Sequence, residues 1–390
     1  MSTYSKKNII VITGYLGSGK TTLLNELLQN TEGRRVAVIV NDMGSVNIDA
    51  SLIKLQNKNN VYDYSMVELK NGCICCTLRE EFMEQVQRIV QKEDIDTILV
   101  EASGISNPAS IAEAFLLFEE ENKAAGFGLS TIAAVVDADR IYAEFLQELD
   151  TFEEELEEDE LEEENEPDVI NLIVDQIEFS NLILLNKCDL LDRNQLDEVK
   201  TVIRKFQPSA EIIETEYGKI DSKHIFRERE FNYEAVESSS VLGHALSKLQ
   251  KGSYEEEGEH EEYGISSFVF EERHPFVYDR FIAFLEEYYP EEIIRAKGYI
   301  WFAEDDMHVQ LFEQAGRNSS LSEVSNWTAA LPVNEQTLVF EQYPEVLSDW
   351  DPTYGDRLNQ LVFIGKGYDK EEFIQKLSDC LWKGDGSYEV

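Results

Sequence analysis

Gly14-Tyr15-Leu16-Gly17-Ser18-Gly19-Lys20-Thr21 decides the fold of this 390-residue chain. The eight residues fit the spacing G-x-x-x-x-G-K-[ST] in full. Before them, Ile9-Ile10-Val11-Ile12 is an apolar run that reads as a buried strand. After them, Thr22-Leu23-Leu24-Asn25-Glu26-Leu27-Leu28 places leucines at helical spacing. Strand, glycine loop and helix in that order form the context in which the spacing cradles phosphate. The glycines let backbone N–H groups turn inward and close on anionic oxygens with no Cβ in the way. The helix opening near Lys20 points the positive end of its dipole at the anion. Lys20 is expected to bridge β- and γ-phosphates and Thr21 to ligate Mg²⁺, with Gly14, Gly17, Ser18, Gly19 and Thr22 lining the cradle. A glycine-rich turn without a ligand is the rival reading, and the complete strand–loop–helix context weighs against it.

Downstream motifs extend this reading. Ile95-Asp96-Thr97-Ile98-Leu99-Val100 predicts a strand ending at Glu101-Ala102-Ser103-Gly104. An acid at the end of such a strand is placed to hold the Mg²⁺ water shell, and Gly104 to bring its N–H to the γ-phosphate. Asn181-Leu182-Ile183-Leu184-Leu185 runs into Asn186-Lys187-Cys188-Asp189, an N-K-x-D after an apolar strand. The Asp189 carboxylate is an acceptor for guanine N1–H and the exocyclic amine. Adenine offers an acceptor at N1 and is refused. Asn186 and Lys187 are expected to brace the base pocket, and Cys188 to pack. GTP rather than ATP is therefore the expected nucleotide, which disfavours a small-molecule kinase.

Between these motifs lies Asn71-Gly72-Cys73-Ile74-Cys75-Cys76. Thiolates bind borderline and soft ions such as Zn²⁺. Cys73 and Cys75 can clasp one ion and Cys76 offers a third sulfur, with the remaining ligand drawn from Asp42 or a histidine. Buried structural cysteine and vicinal-thiol redox chemistry are the rivals. Asp42 sits in Asn41-Asp42-Met43-Gly44, after the strand Arg35–Val40. It can approach Mg²⁺ or a second metal, and the same Asn-Asp pair reads also as a plain turn.

Composition bounds the partners. Formal net charge is −44, from 34 basic and 78 acidic residues. That argues against nucleic acid or an anionic membrane as the main partner and favours attraction of cations. Five cysteines, three of them within four residues, make no disulfide framework. The start of the chain lacks a signal-peptide core, and no apolar run is long enough to span a bilayer, so a cytoplasmic location is expected. From Glu153 to Glu166 nearly every residue is acidic, an insert that reads as solvated chain and alternatively as an unselective gatherer of cations.

Helices are expected over 80–91, over 107–118 with Pro108 at its start, over 168–179, over 196–206 and over 241–249. Strands are expected at 61–69, 131–136 and 211–213. The expected architecture is α/β. It comprises a P-loop NTPase domain with a mainly parallel sheet at 1–252 (acidic insert about 151–167), a linker at 253–262, and a small α+β domain at 263–390. His260 in the linker reads as solvated, with metal contact as the alternative. The second domain is read from strands at 265–270, 293–303, 307–312 and 361–364 and helices at 276–288 and 370–381, as a sheet with helices on one face. Arg295 and Lys297 serve either a domain interface or local pairing.

Gly14–Thr21, the Cys73-Ile74-Cys75-Cys76 cluster, Glu101–Gly104 and Asn186–Asp189 together resemble the CobW-type metal-handling GTPases, several of which look like zinc metallochaperones. The resemblance runs nearly full length. It implies a GTPase that couples nucleotide state to transfer of Zn²⁺, or of a related ion such as Co²⁺, to an unidentified metalloprotein client. Lys20 and Thr21 would serve phosphates and Mg²⁺, Glu101 the Mg²⁺ shell, Asn186 and Asp189 guanine, and the three cysteines the transferred metal. Two departures stand out. Acidic residues replace the histidine-rich loops often found in the family, and its E-S-S-G and switch Glu appear as Glu101-Ala102-Ser103-Gly104 and the shorter Asp42. A nucleotide-binding metal buffer or sensor with little turnover, and a cobalt factor for cobalamin or nitrile hydratase maturation, are the alternatives.

Overall fold

The computed structural model describes residues 7–41, 64–69, 83, 86–89, 95–121, 127–146, 169–227, 229, 231–239, 264–316, 318–348 and 350–383. Asp42, Cys73, Cys75, Cys76, the acidic insert, the helix expected at 241–249 and the linker with His260 lie outside the described residues. The chain divides into two compact units, Met1–Ser240 and Val241–Val390.

In the first unit, seven strands form one sheet: β1 (Lys7–Thr13), β2 (Val36–Asn41), β3 (Tyr64–Leu69), β4 (Thr97–Glu101), β5 (Phe127–Asp137), β6 (Leu182–Asn186) and β7 (Glu211–Glu214). Their spatial order is β3-β2-β4-β1-β5-β6-β7, and every pairing is parallel. Parallel strands are covered on both faces, which is why β1, β2, β4 and β6 read as continuous apolar runs rather than alternating ones. The two cores confirm this by period. Ile9 and Val11 belong to one buried cluster, whereas Ile10 and Ile12 belong to the other. Helix α1 (Lys20–Gln29) buries Leu23, Leu24, Leu27 and Leu28 against the second face. Helix α2 (Pro108–Glu121) buries Ile111, Ala114 and Phe115 against the first, joined there by Met83, Val86 and Ile89. Further helices are α3 (Ala138–Phe145), α4 (Val169–Glu178), α5 (Arg193–Phe206), α6 (Lys223–Phe226) and α7 (Tyr233–Ser239). A capping box at Asp192 starts α5, its side chain accepting from Gln195 N–H while the Gln195 side chain accepts from Asp192 N–H.

The second unit is a five-stranded sheet, ordered β11-β10-β9-β12-β8, whose pairings are all antiparallel. Its strands are β8 (Ile265–Glu272), β9 (Ile293–Phe302), β10 (Asp305–Ala315), β11 (Asn318–Asn326) and β12 (Asn359–Lys366). Phe281 and Phe284 of helix α8 (Tyr278–Glu287) share one core with Phe268, Phe276, Phe302, Phe312 and Phe363. Helices α9 (Val333–Gln342) and α10 (Pro344–Ser348) follow, and α11 (Lys370–Asp379) adds Phe373 and Leu377 to that core. The single helical face expected from sequence needs one correction. Trp301 and Val309 make a smaller cluster with Trp327, Ala330 and Tyr354, because alternate residues of β9 point the other way. The short 3-10 turn Thr328–Ala330 contributes to it. Arg295 and Lys297 pair locally: both reach Glu313, Lys297 at 2.8 Å and the buried Arg295 at 3.8 Å. Those two cations hold the Glu313 carboxyl below its usual range despite its burial, which acts in the opposite direction.

Candidate nucleotide site

The loop between β1 and α1 sits at the C-terminal edge of the central strand, where connections leave toward opposite sides of the sheet. Ligands bind at such a point in open parallel sheets. Three glycines take backbone conformations that side chains avoid, with φ of 140° at Gly14, 78° at Gly17 and 109° at Gly19. At two of these the space is also taken. A Cβ on Gly14 would meet the Val135 carbonyl, and one on Gly19 the Asn186 amide. Gly19 precedes α1 with no side-chain cap, and the first turn carries no acid, so no carboxylate there opposes an anion at the positive end of the helix dipole.

Lys20 is buried and its Nζ donates to the Tyr15 carbonyl at 3.2 Å, turned back on its own loop. Thr21 Oγ1 donates to Glu101 Oε1 at 3.2 Å. Parallel pairing produces this meeting, since Ile12 lies opposite Glu101 in the ladder, so the end of β4 stands beside the glycine loop. Thr22 is exposed. Ser18 Oγ and Thr13 Oγ1 are buried with no hydrogen-bond partner among the described residues. Orphaned hydroxyls beside an uncapped helix start suit a polyanion. The hydroxyl of Thr21 and the carboxylate of Glu101 are hard oxygen donors that suit Mg²⁺. The residues therefore fit both.

Asn186 ends β6 and spans the site. Its Nδ2 donates to the Ser18 carbonyl at 2.8 Å, while its Oδ1 accepts from Thr215 Oγ1 and Gly218 N–H, each at 3.0 Å. It thus ties the phosphate loop to the segment after β7, a bracing role reaching further than the base pocket. Lys187 adopts a left-handed conformation, φ 62°, and its Nζ pairs with Asp137 Oδ2 at 2.5 Å. Asp137 lies opposite Asn186 in the β5–β6 ladder, and its other oxygen caps α3 through Arg140 N–H. Asp189 is exposed, and among the described residues none pairs with its carboxylate. Cys188 is buried, its thiol donating to the Leu185 carbonyl at 3.1 Å, and burial pushes its pKa up, as expected of a packing residue.

On the other side, Gly104 packs against the phosphate loop: a Cβ there would lie 2.9 Å from the Leu16 side chain. Its carbonyl accepts from Gln176 of α4. Arg140 of α3 places its guanidinium 4.8 Å from the Tyr15 ring centroid. Asp137, Arg140, Gln176, Thr215 and Gly218 escaped the sequence reading. For Asp137 a signal existed, since it ends an apolar strand as Glu101 does. The others are single polar residues in ordinary contexts, and only the folded chain brings them to the loop.

A complete glycine–lysine spacing after one strand and an N-K-x-D after another, on one edge of a parallel sheet, place the chain among the P-loop GTPases. Within that class it belongs to the CobW/HypB/UreG family, whose nucleotide-binding domain matches residues 8–214; the cobalamin synthesis protein cobW C-terminal domain matches residues 265–381. The chain is 32% identical to a zinc-regulated GTPase metalloprotein activator 1 of Dictyostelium discoideum, over 97% of this chain and 80% of that protein. It is 34% identical to a zinc chaperone CobW of Pseudomonas aeruginosa, over 56% of this chain and 59% of the other. A Zn(II)-bound YjiA GTPase from E. coli aligns over 96% of this chain and 98% of its own, at 19% identity and a TM-score of 0.41. Among the described residues, no helix is long and apolar enough to cross a membrane.

Proposed function

We propose that the protein is a GTP-driven metallochaperone that takes Zn²⁺ on Cys73, Cys75 and Cys76 and passes it to a client metalloprotein as the nucleotide state changes. The observation that carries this is the alignment of strand ends. Asn41 lies opposite Leu69, and Val40 opposite Glu101. The strands leading into Asp42 and into the cysteines therefore stop at the edge where Glu101 meets Thr21. Neighbouring strands are roughly 4.8 Å apart, so Leu69 is about 10 Å from the Glu101 strand. Cys73 follows Leu69 by only four residues, at most about 14 Å of chain. The zinc named for relatives in Dictyostelium and Pseudomonas supports the choice of ion.

The chain's own groups would act as follows. Lys20 leaves the Tyr15 carbonyl for the β- and γ-phosphates. The N–H groups at the start of α1 and at Gly104 donate to phosphate oxygens. Asp189 reads guanine, and Thr21 and Glu101 hold Mg²⁺. Bound there, Mg²⁺ would neutralise charge growing on the β–γ oxygens. No glutamine or arginine finger is evident in the sequence, so slow unaided turnover is expected. Because β3, which leads toward the thiols, is separated only by β2 from β4, which ends at Glu101, metal on the sulfurs would bias the loop that senses the γ-phosphate. Turnover is measured with and without stoichiometric Zn²⁺, and Zn²⁺ affinity in the GTP-analogue and GDP states. Differences in both are expected; equal rates with equal affinities would defeat the coupling.

A further inference from the structure

We infer that Gln176 is a positioning residue for GTP hydrolysis, holding the γ-phosphate-sensing loop against the phosphate cradle. Gln176 lies in α4 and is only 1% exposed. Its Nε2 donates to the Gly104 carbonyl at 3.0 Å and to the Ser106 carbonyl at 3.4 Å. Both acceptors lie in the loop following Glu101, and Ser106 is itself fully buried. Inside the same loop, the hydroxyls of Ser103 and Ser106 hydrogen-bond at 2.7 Å. Leu16 of the phosphate loop packs so closely that a Cβ at Gly104 would lie 2.9 Å from its side chain and force it to shift. The loop is thus held from two sides, by Leu16 and by one amide reaching from a helix seventy residues further along the chain.

Chemistry assigns the amide a task. The N–H of Gly104 is the group expected to meet a γ-phosphate. Its peptide neighbours are fixed by the Gln176 bonds, so the donor is oriented before the nucleotide arrives. Pre-orientation matters only for a ligand that carries a γ-phosphate, since GDP does not reach this loop. Gln176 therefore supports discrimination between GTP and GDP and the approach to the transition state, without touching either nucleotide.

This inference rests on the GTP reading of the site and not on the thiols. The test is Gln176→Met, similar in shape and lacking the donor. Affinity for a non-hydrolysable GTP analogue should fall roughly tenfold, the scale of one or two lost hydrogen bonds, while GDP affinity stays within about twofold. The rate constant for hydrolysis should fall with it. Gly104→Ala, which presses on Leu16, should give the same selective loss from the other side. Equal losses for GTP analogue and GDP, or no loss for either, would overturn the inference. If the unaltered protein bound neither guanine nucleotide, the GTP reading itself would fail, an outcome distinct from both.

Discussion

Replacing Asn186 with alanine tests whether one side chain holds the nucleotide site together. Three hydrogen bonds disappear: to the Ser18 carbonyl, from Thr215 Oγ1 and from Gly218 N–H. Each buried group left without a partner costs about 1–3 kcal/mol, whereas a group with another partner costs little. The Thr215 hydroxyl keeps a longer contact with the Leu185 carbonyl at 3.4 Å, so its loss is partial. Gly218 N–H and the Ser18 carbonyl carry most of the loss. The sum is about 3 kcal/mol, well above the roughly 1 kcal/mol typical of point substitutions. The same bond to Ser18 shapes the loop that closes on phosphate, so guanine nucleotide affinity should fall on the order of 100-fold. Urea unfolding, with nucleotide titration on the folded variant, measures both. As a control, Thr215→Val removes one of the two bonds that Asn186 Oδ1 accepts, together with the long contact to the Leu185 carbonyl, leaves the Ser18 and Gly218 bonds in place, and should cost about 1 kcal/mol. A stability loss below 1 kcal/mol for Asn186→Ala, with nucleotide binding intact, would refute the bracing role.

Asp189→Asn should abolish the preference for guanine, because the amide cannot accept from both N1–H and the exocyclic amine; competition of GTP against ATP and xanthosine triphosphate reads the change. At neutral pH, alkylation of the native protein should spare Cys188 and Cys380, since burial pushes the thiol of Cys380 up to about 11 and raises that of Cys188. Cys73, Cys75 and Cys76 should react, and stoichiometric Zn²⁺ should protect them; mass spectrometry after labelling decides this. The hydrogen bond from Lys200 holds the Glu214 carboxyl below the ordinary glutamate value of 4.5, against an opposing push from burial. A depressed folded pKa gives stability present above about pH 4.5 that is lost as pH falls through the folded value. Lys200→Met should therefore lower stability at neutral pH and flatten its acid dependence, by less than about 1 kcal/mol because the pair is partly exposed.

Much of the first unit was legible because its signals are local. An apolar run, a complete glycine–lysine spacing and leucines at helical intervals constrain neighbouring residues, and β1, the phosphate loop and α1 follow from them. The same holds for β6 and N-K-x-D. Strand β11 was not legible. Its residues, Asn318 to Asn326, are mostly serine and other polar types, and it is a sheet-edge strand with largely exposed side chains, so no alternating apolar pattern marks it. Helices α9 and α10 escaped for a related reason: α9 has no buried residue to impose a stripe.

The sequence by itself determined which residues are candidates to meet phosphate, Mg²⁺ and guanine, because such candidates are chosen by residue type and short spacing. The tertiary structure alone decided the strand order β3-β2-β4-β1-β5-β6-β7 and, with it, which distant residues brace the site. Asn186 reaches Ser18 across 168 positions and Gln176 reaches Gly104 across 72. Contacts at such separations depend on how the sheet's crossovers are wound, a property of the whole packed chain that no local run of residues encodes.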